Sequence, residues 1–206
     1  MISAFAVGCI AGFLIAIPPG PVSVTTIARS IEHDRQTGLM VGLGAVVSET
    51  MYAALGFFGV KFIYAAGLEA PLQVVSFGIV TYMGARYAFL EQTVSLESVK
   101  KSPRGRNSLW LGLALSITTP TIGAAYFVVA GSVQSYALFE STAVNNVLAS
   151  VGAGAGSLMW LLLLIAGVGK MRKSFGVESV RNIARMAGIL LLIVGSYLGY
   201  AIVARY

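Results

Sequence analysis

The sequence predicts an all-α integral membrane protein. Its six transmembrane helices form a 3+3 inverted repeat, with the first and fourth helices broken by proline. Three observations carry this prediction. The chain of 206 residues is 57% hydrophobic and only 11% charged, with a mean hydropathy of +0.83; a soluble domain carries about 25% charged residues. Apolar runs recur at about 3–28, 38–63, 70–90, 107–132, 143–169 and 184–204, each long enough to cross a bilayer. Basic residues fall on alternate sides. Loops one, three and five with their flanks hold Arg29, Arg35, Arg86, the Lys100–Arg106 cluster and the Lys170–Arg185 cluster. The other side holds only Lys61 and Arg205. The positive-inside rule places those three loops in the cytoplasm and both termini outside. Three spans per half means that the second half starts from the opposite side, the geometry of an inverted repeat. The division expected is 1–97 for the first repeat, 98–106 for a cytoplasmic basic linker and 107–206 for the second repeat.

The first span contains Ile17-Pro18-Pro19-Gly20-Pro21. The prolines deprive the carbonyls of Leu14, Ile15 and Ile17 of their helical donors, and each ring clashes with the preceding turn. Such a run unwinds a helix. Unwound backbone at membrane depth is tolerated only against protein or beside a wet cavity. No lysine or arginine precedes Arg29, so the basic start of a signal peptide is missing and this run is expected to remain as a span.

The second span carries Gly38, Gly42, Ala45, Glu49, Ala53 and Gly56 at three- and four-residue steps. Small faces of this kind let membrane helices pack closely. Glu49 lies in the middle of that face, where a charge costs at least ~2.5 kcal/mol. A carboxyl there exchanges a proton, holds a cationic group of cargo, or stays protonated against loosened backbone. The third span ends at Arg86, placed to snorkel to the interface. The loop from Ser98 to Arg106 is polar and basic, suited to anionic lipid headgroups.

The fourth span has Ser116-Ile117-Thr118-Thr119-Pro120-Thr121. Pro120 frees the carbonyl of Ser116, and the hydroxyls nearby can satisfy loose backbone groups. Breaks at matching places in two halves point to a transporter site. The fifth span repeats the small face with Ala149, Gly152, Ala153 and Gly156, and sets Ser157 where Glu49 falls in the second. The sixth carries Gly195 and Gly199, a pair that packs either a second protomer, giving a homodimer, or the chain's own helices.

Several classes are set aside. The net charge of +6 sits in short loops between apolar runs, which argues against nucleic acid. Cys9 is the sole cysteine, so neither an internal disulfide nor a two-thiol relay forms. His33, the sole histidine, lies among Glu32, Asp34 and Arg35 and is expected to be solvated. No metal site, cofactor or enzymatic constellation is expected at membrane depth.

The pattern resembles the LysE/RhtB family of amino-acid exporters. The matching features are Gly12 with Pro19-Gly20-Pro21, then Arg29-Ser30, Gly38 and Gly42-Leu43-Gly44. Further on are Tyr82-Met83-Gly84-Ala85-Arg86, Thr119-Pro120, and Arg185-Met186-Ala187-Gly188 leading to Gly195. The order covers almost the whole chain. Two departures stand out: Ser48-Glu49 where the family often has an aspartate after glycine, and Thr119-Pro120-Thr121 where it usually has Asn-Pro-Lys. The resemblance implies a prokaryotic plasma-membrane exporter of amino acids or close derivatives, driven by proton antiport. The expected substrate site is Pro18, Pro19, Gly20, Pro21, Glu49, Thr118, Thr119, Pro120 and Thr121, with Glu49 as the proton-coupling group. The alternatives are a metal or inorganic cation exporter and a non-transporting membrane subunit.

Overall fold

The computed structural model describes residues 2–18, 20–67, 69–89, 107–135 and 138–170. It also describes 185–186, 188–189, 191–193, 195–197 and 199–200. Pro19, the basic linker 98–106 and much of the sixth expected span lie outside the described residues. Among those described, every regular element is helical. In chain order these are α1 (Ile2–Ala16), α2 (Pro21–Glu32), α3 (Arg35–Ala65), α4 (Glu69–Phe89), α5 (Asn107–Ile117), α6 (Pro120–Ser135) and α7 (Ala143–Lys170). The described positions between 185 and 200 are helical as well.

Among the described residues, two helices are long and apolar enough to cross a membrane alone: residues 35–63 of α3 and 143–167 of α7. The pairs α1/α2 and α5/α6 bend by 73° and 62° at short interruptions; counting each pair as one crossing raises the total to four. Both interruptions coincide with proline. α2 opens on Pro21 and α6 on Pro120, the first helical position, where a missing N–H costs nothing. Gly20 precedes α2 with φ −108° and ψ −175°. That is extended backbone open to any residue, so the break does not draw on the conformational freedom of glycine.

Close packing by small residues sets the core. A Cβ on Gly8 or Gly12 of α1 would collide with the backbone of Ala149 or Ala153 on α7, and one on Gly152 or Gly156 of α7 would collide with Phe5 or Cys9. The same relation joins α3 and α5, where Gly44 meets Leu109 and Gly112 meets Val41. Backbones in this contact gain dispersion energy that lipid cannot supply. Large apolar side chains such as Leu55, Phe62, Trp110, Val151 and Leu163 point outward, as a lipid-facing surface requires. Gly195 and Gly199 face Thr81 and Phe77 of α4, so this pair packs within the chain.

Between α2 and α3, Asp34 Oδ1 accepts the Thr37 N–H at 2.6 Å and caps α3. That bond holds the Asp34 carboxyl below the ordinary carboxylate range. His33, expected to be solvated, is half-buried with Nδ1 away from solvent.

Candidate functional site

A cavity of about 230 Å³ lies where the two bent pairs meet α3, α4 and α7. Its position follows from the breaks. α1 stops before Pro18 and α2 leaves at a steep angle, so a continuous helix does not fill the space. Pro21, Val22 and Ser23 at the start of α2 line it, as do Thr121 and Ile122 at the start of α6. The positive ends of two helices therefore border one cavity, an arrangement that favours an anionic group.

Glu49, in the uninterrupted helix α3, is 7% exposed and belongs to the same wall. The Ser157 hydroxyl of α7 donates to Glu49 Oε2. The same hydroxyl lies 3.2 Å from the Gly12 carbonyl of α1. One hydroxyl proton serves one of these acceptors at a time. With Glu49 ionised, Ser157 gives its proton to the carboxylate. With Glu49 protonated, the carboxyl can donate to Ser157, whose own proton turns to Gly12. The Ser157 hydroxyl thus stands between Glu49 of α3 and the Gly12 carbonyl of α1. Tyr126 is fully buried on α6.

Two further polar residues belong to the cavity wall. Thr26, 0% exposed, has no hydrogen-bond partner for Oγ1 among the described residues. Trp160 packs edge-on to Phe13, with ring centroids 5.7 Å apart, and its buried Nε1 also lacks a partner among those residues. Among the described residues that line the cavity, only Glu49 is ionisable.

The second break is tied to itself. The Ser116 carbonyl, left without a donor at Pro120, accepts the Thr119 N–H at 3.0 Å. Thr118 and Thr119 return their hydroxyls to Ala114 and Leu115 at 2.8 and 2.7 Å. Tyr52 of α3 donates to the Ile117 carbonyl at 2.8 Å.

The expected site residues divide accordingly. Pro18, Gly20, Pro21, Glu49, Thr119 and Thr121 lie on the cavity wall. Thr118 is exposed, is absent from that wall, and spends its hydroxyl on its own helix. Pro120 serves as the first residue of α6, and Pro19 is outside the described residues. Sequence reasoning passed over Thr26 and Tyr126, placed Trp160 only on the small-residue face of the fifth span, and placed Ser157 only as the counterpart of Glu49. Thr26 carried a usable signal: Thr25, Thr26, Arg29 and Ser30 recur at helical spacing and are all buried, a polar stripe inside an apolar run. Arg29 belongs to this stripe at 1% exposure.

A family model described as LysE type translocator matches residues 13–202. A Bacillus subtilis (strain 168) protein carrying the name "Putative amino acid efflux protein YcgF" is 24% identical over 192 residues, covering 92% of this chain and 91% of that protein. The Pseudomonas aeruginosa "Chemotactic transduction protein ChpE" is 23% identical over 195 residues, covering 93% of this chain and 95% of that protein. No solved structure matches the chain.

Proposed function

The chain belongs to the LysE type translocator family, and from that premise we propose that it exports amino acids or close derivatives across the plasma membrane as a proton-coupled secondary transporter. The observation that carries the reading is a buried carboxyl, Glu49, on the wall of a cavity bordered by two helix starts. The cargo ammonium meets Glu49. Its carboxylate meets the free N–H groups at the starts of α2 and α6, where the helix dipoles favour negative charge. Each bent pair is taken as one proline-broken span, giving six spans in two inverted halves, with loops one, three and five in the cytoplasm and both termini outside. The clustering of basic residues in those loops supports this orientation.

We place the switch for alternating access on the Ser157 hydroxyl, a reading supported by its two acceptors, Glu49 and the Gly12 carbonyl. A cargo ammonium stabilises ionised Glu49, and Ser157 then donates to the carboxylate. When a proton arrives from outside, cargo loses its counter-charge and leaves. Ser157 turns to Gly12, and α1 resets against α7. The cycle couples one protonation event to one change of contact between helices.

The test is uptake of labelled amino acids into proteoliposomes with and without an inside-acid pH gradient, wild type beside Glu49→Gln. Accumulation that depends on the gradient in wild type and is lost in the variant is the expected result. A variant that accumulates cargo as well as wild type removes Glu49 from the coupling role. The relative named for chemotactic transduction supports a second reading, in which the cavity binds solute without moving it. Saturable binding with no accumulation under any gradient would favour that reading.

A further inference from the structure

We infer that the cargo of this cavity is an amino acid with one ammonium, one carboxylate and an apolar side chain of the leucine, valine or methionine kind. The inference rests on the transport reading above and narrows it. Charge gives the first reason. Glu49 is the one ionisable residue on the wall among the described residues, and it matches a single ammonium. A lysine-like cargo brings a second ammonium, and a glutamate-like cargo a second carboxylate. Neither meets a countercharge on this wall, and an unpaired ion in apolar surroundings is strongly disfavoured.

The remaining wall gives the second reason. Leu14, Ile17, Val80, Val129, Leu161 and Leu164 contribute to it, so a side chain that follows the charged end of the cargo into the cavity meets hydrocarbon. Burying apolar surface there is favourable in proportion to the area removed from water. The volume of about 230 Å³ suits a compact solute.

The third reason is hydrogen-bond capacity left open. Trp160 Nε1 is buried, faces no acceptor among the described residues and belongs to the cavity wall. An indole N–H only donates, and leaving it unmade when buried carries the desolvation penalty of the group. Thr26 Oγ1 is in the same condition. A cargo carboxylate supplies acceptors for both. It thereby extends the anion-binding side beyond the helix starts and leaves the side chain to the apolar wall.

Trp110 and Trp160 are the two tryptophans of the chain, and Trp110 is 62% exposed on α5, away from the cavity wall. Trp110→Phe therefore leaves Trp160 as the sole indole reporter at the site. The experiment titrates this variant with L-leucine, L-methionine, L-lysine and L-glutamate while reading Trp160 emission. It also measures counterflow of the same four solutes in proteoliposomes of wild type. Leucine and methionine are expected to change the emission saturably and to exchange. Lysine and glutamate are expected to exchange at least about tenfold more slowly, as an unpaired charge at this depth requires. Lysine or glutamate exchanging as fast as leucine overturns the side-chain class and leaves the transport reading standing. Exchange of leucine with no change in Trp160 emission places the cargo elsewhere and also overturns the inference. If none of the four exchanges, the transport reading falls and this inference falls with it.

Discussion

The two interrupted helix pairs look alike in outline and differ in how they satisfy their backbone. At the α5/α6 break, hydroxyls of Thr118 and Thr119, the Thr119 N–H and the Tyr52 hydroxyl reach the carbonyls of Ala114, Leu115, Ser116 and Ile117. At the α1/α2 break no hydroxyl among the described residues reaches the carbonyls of Leu14, Ile15 or Ile17. Yet Leu14, Ile15 and Ile17 all line the cavity. One break is sealed by its own side chains. The other has no such side-chain partners among the described residues and lies on the wall of the space where cargo is proposed to sit. An unsatisfied carbonyl at membrane depth is costly unless water or a solute reaches it, so on the proposed function the working role falls to the first break.

Restoring helix at the two breaks should therefore have unequal effects. Proline inside a helix costs about 3 kcal/mol or more, so removing it favours the continuous helix by a comparable amount. Replacing Pro18, Pro19 and Pro21 together by alanine removes every proline of the first break and lets α1 run on into α2 and fill the cavity. Counterflow is expected to fall roughly a hundredfold, the factor that ~3 kcal/mol represents. Pro120→Ala meets the four bonds that hold the second break. At ~1 kcal/mol each they offset most of the gain, and counterflow should fall less than about tenfold. Equal losses at the two breaks would dissolve the distinction between them.

Glycines sharpen it on a smaller scale. A Cβ on Gly12 runs into the Ala153 backbone, and overpacking a site of this kind costs ~1–3 kcal/mol. Gly12→Val should lower the melting temperature by roughly 2–10 °C in a chain of this size. It should also slow counterflow, because the Gly12 carbonyl is one of the two acceptors for Ser157. Gly20, inside the first break, has nothing within 4 Å of a built Cβ and an extended backbone. Gly20→Ala should leave both melting and counterflow near wild type. A large loss from Gly20→Ala would mean that the break needs glycine for more than space.

What was legible in the sequence was whatever acts locally. A missing N–H at Pro21 or Pro120 needs no neighbour to interrupt a helix, and a carboxylate in an apolar run is conspicuous on composition alone. The placement of Ser157 opposite Glu49 was half-legible, since the small-residue faces of α3 and α7 match in order and the two side chains do meet. Burial was not legible. In a membrane helix the lipid-facing and core-facing sides are both apolar, so hydrophobic periodicity says little about which way Trp160 or Tyr126 points. Arg29 is a case in point: it flanks the first loop in sequence, and its place in the stripe with Thr25, Thr26 and Ser30 goes with burial. Gly20, within the proline run, adopts an ordinary extended backbone angle.

The smallest effect is expected outside both breaks and makes the control. Asp34 stands in the turn between α2 and α3, is exposed, and is absent from the cavity wall. Its carboxylate accepts the Thr37 N–H at 2.6 Å, which lowers its pKa in the folded chain. A lowered folded value means that the cap stabilises fully above the ordinary aspartate pKa of about 3.9, and that this contribution disappears as pH falls through the folded value. Asp34→Ala should therefore melt slightly below wild type at neutral pH, and the two melting curves should converge as the buffer is acidified below that range. Counterflow at neutral pH should be unchanged. If Asp34→Ala stays folded and yet loses counterflow, the α2–α3 turn takes part in the cycle, and the working region extends from the first break along the whole of α2.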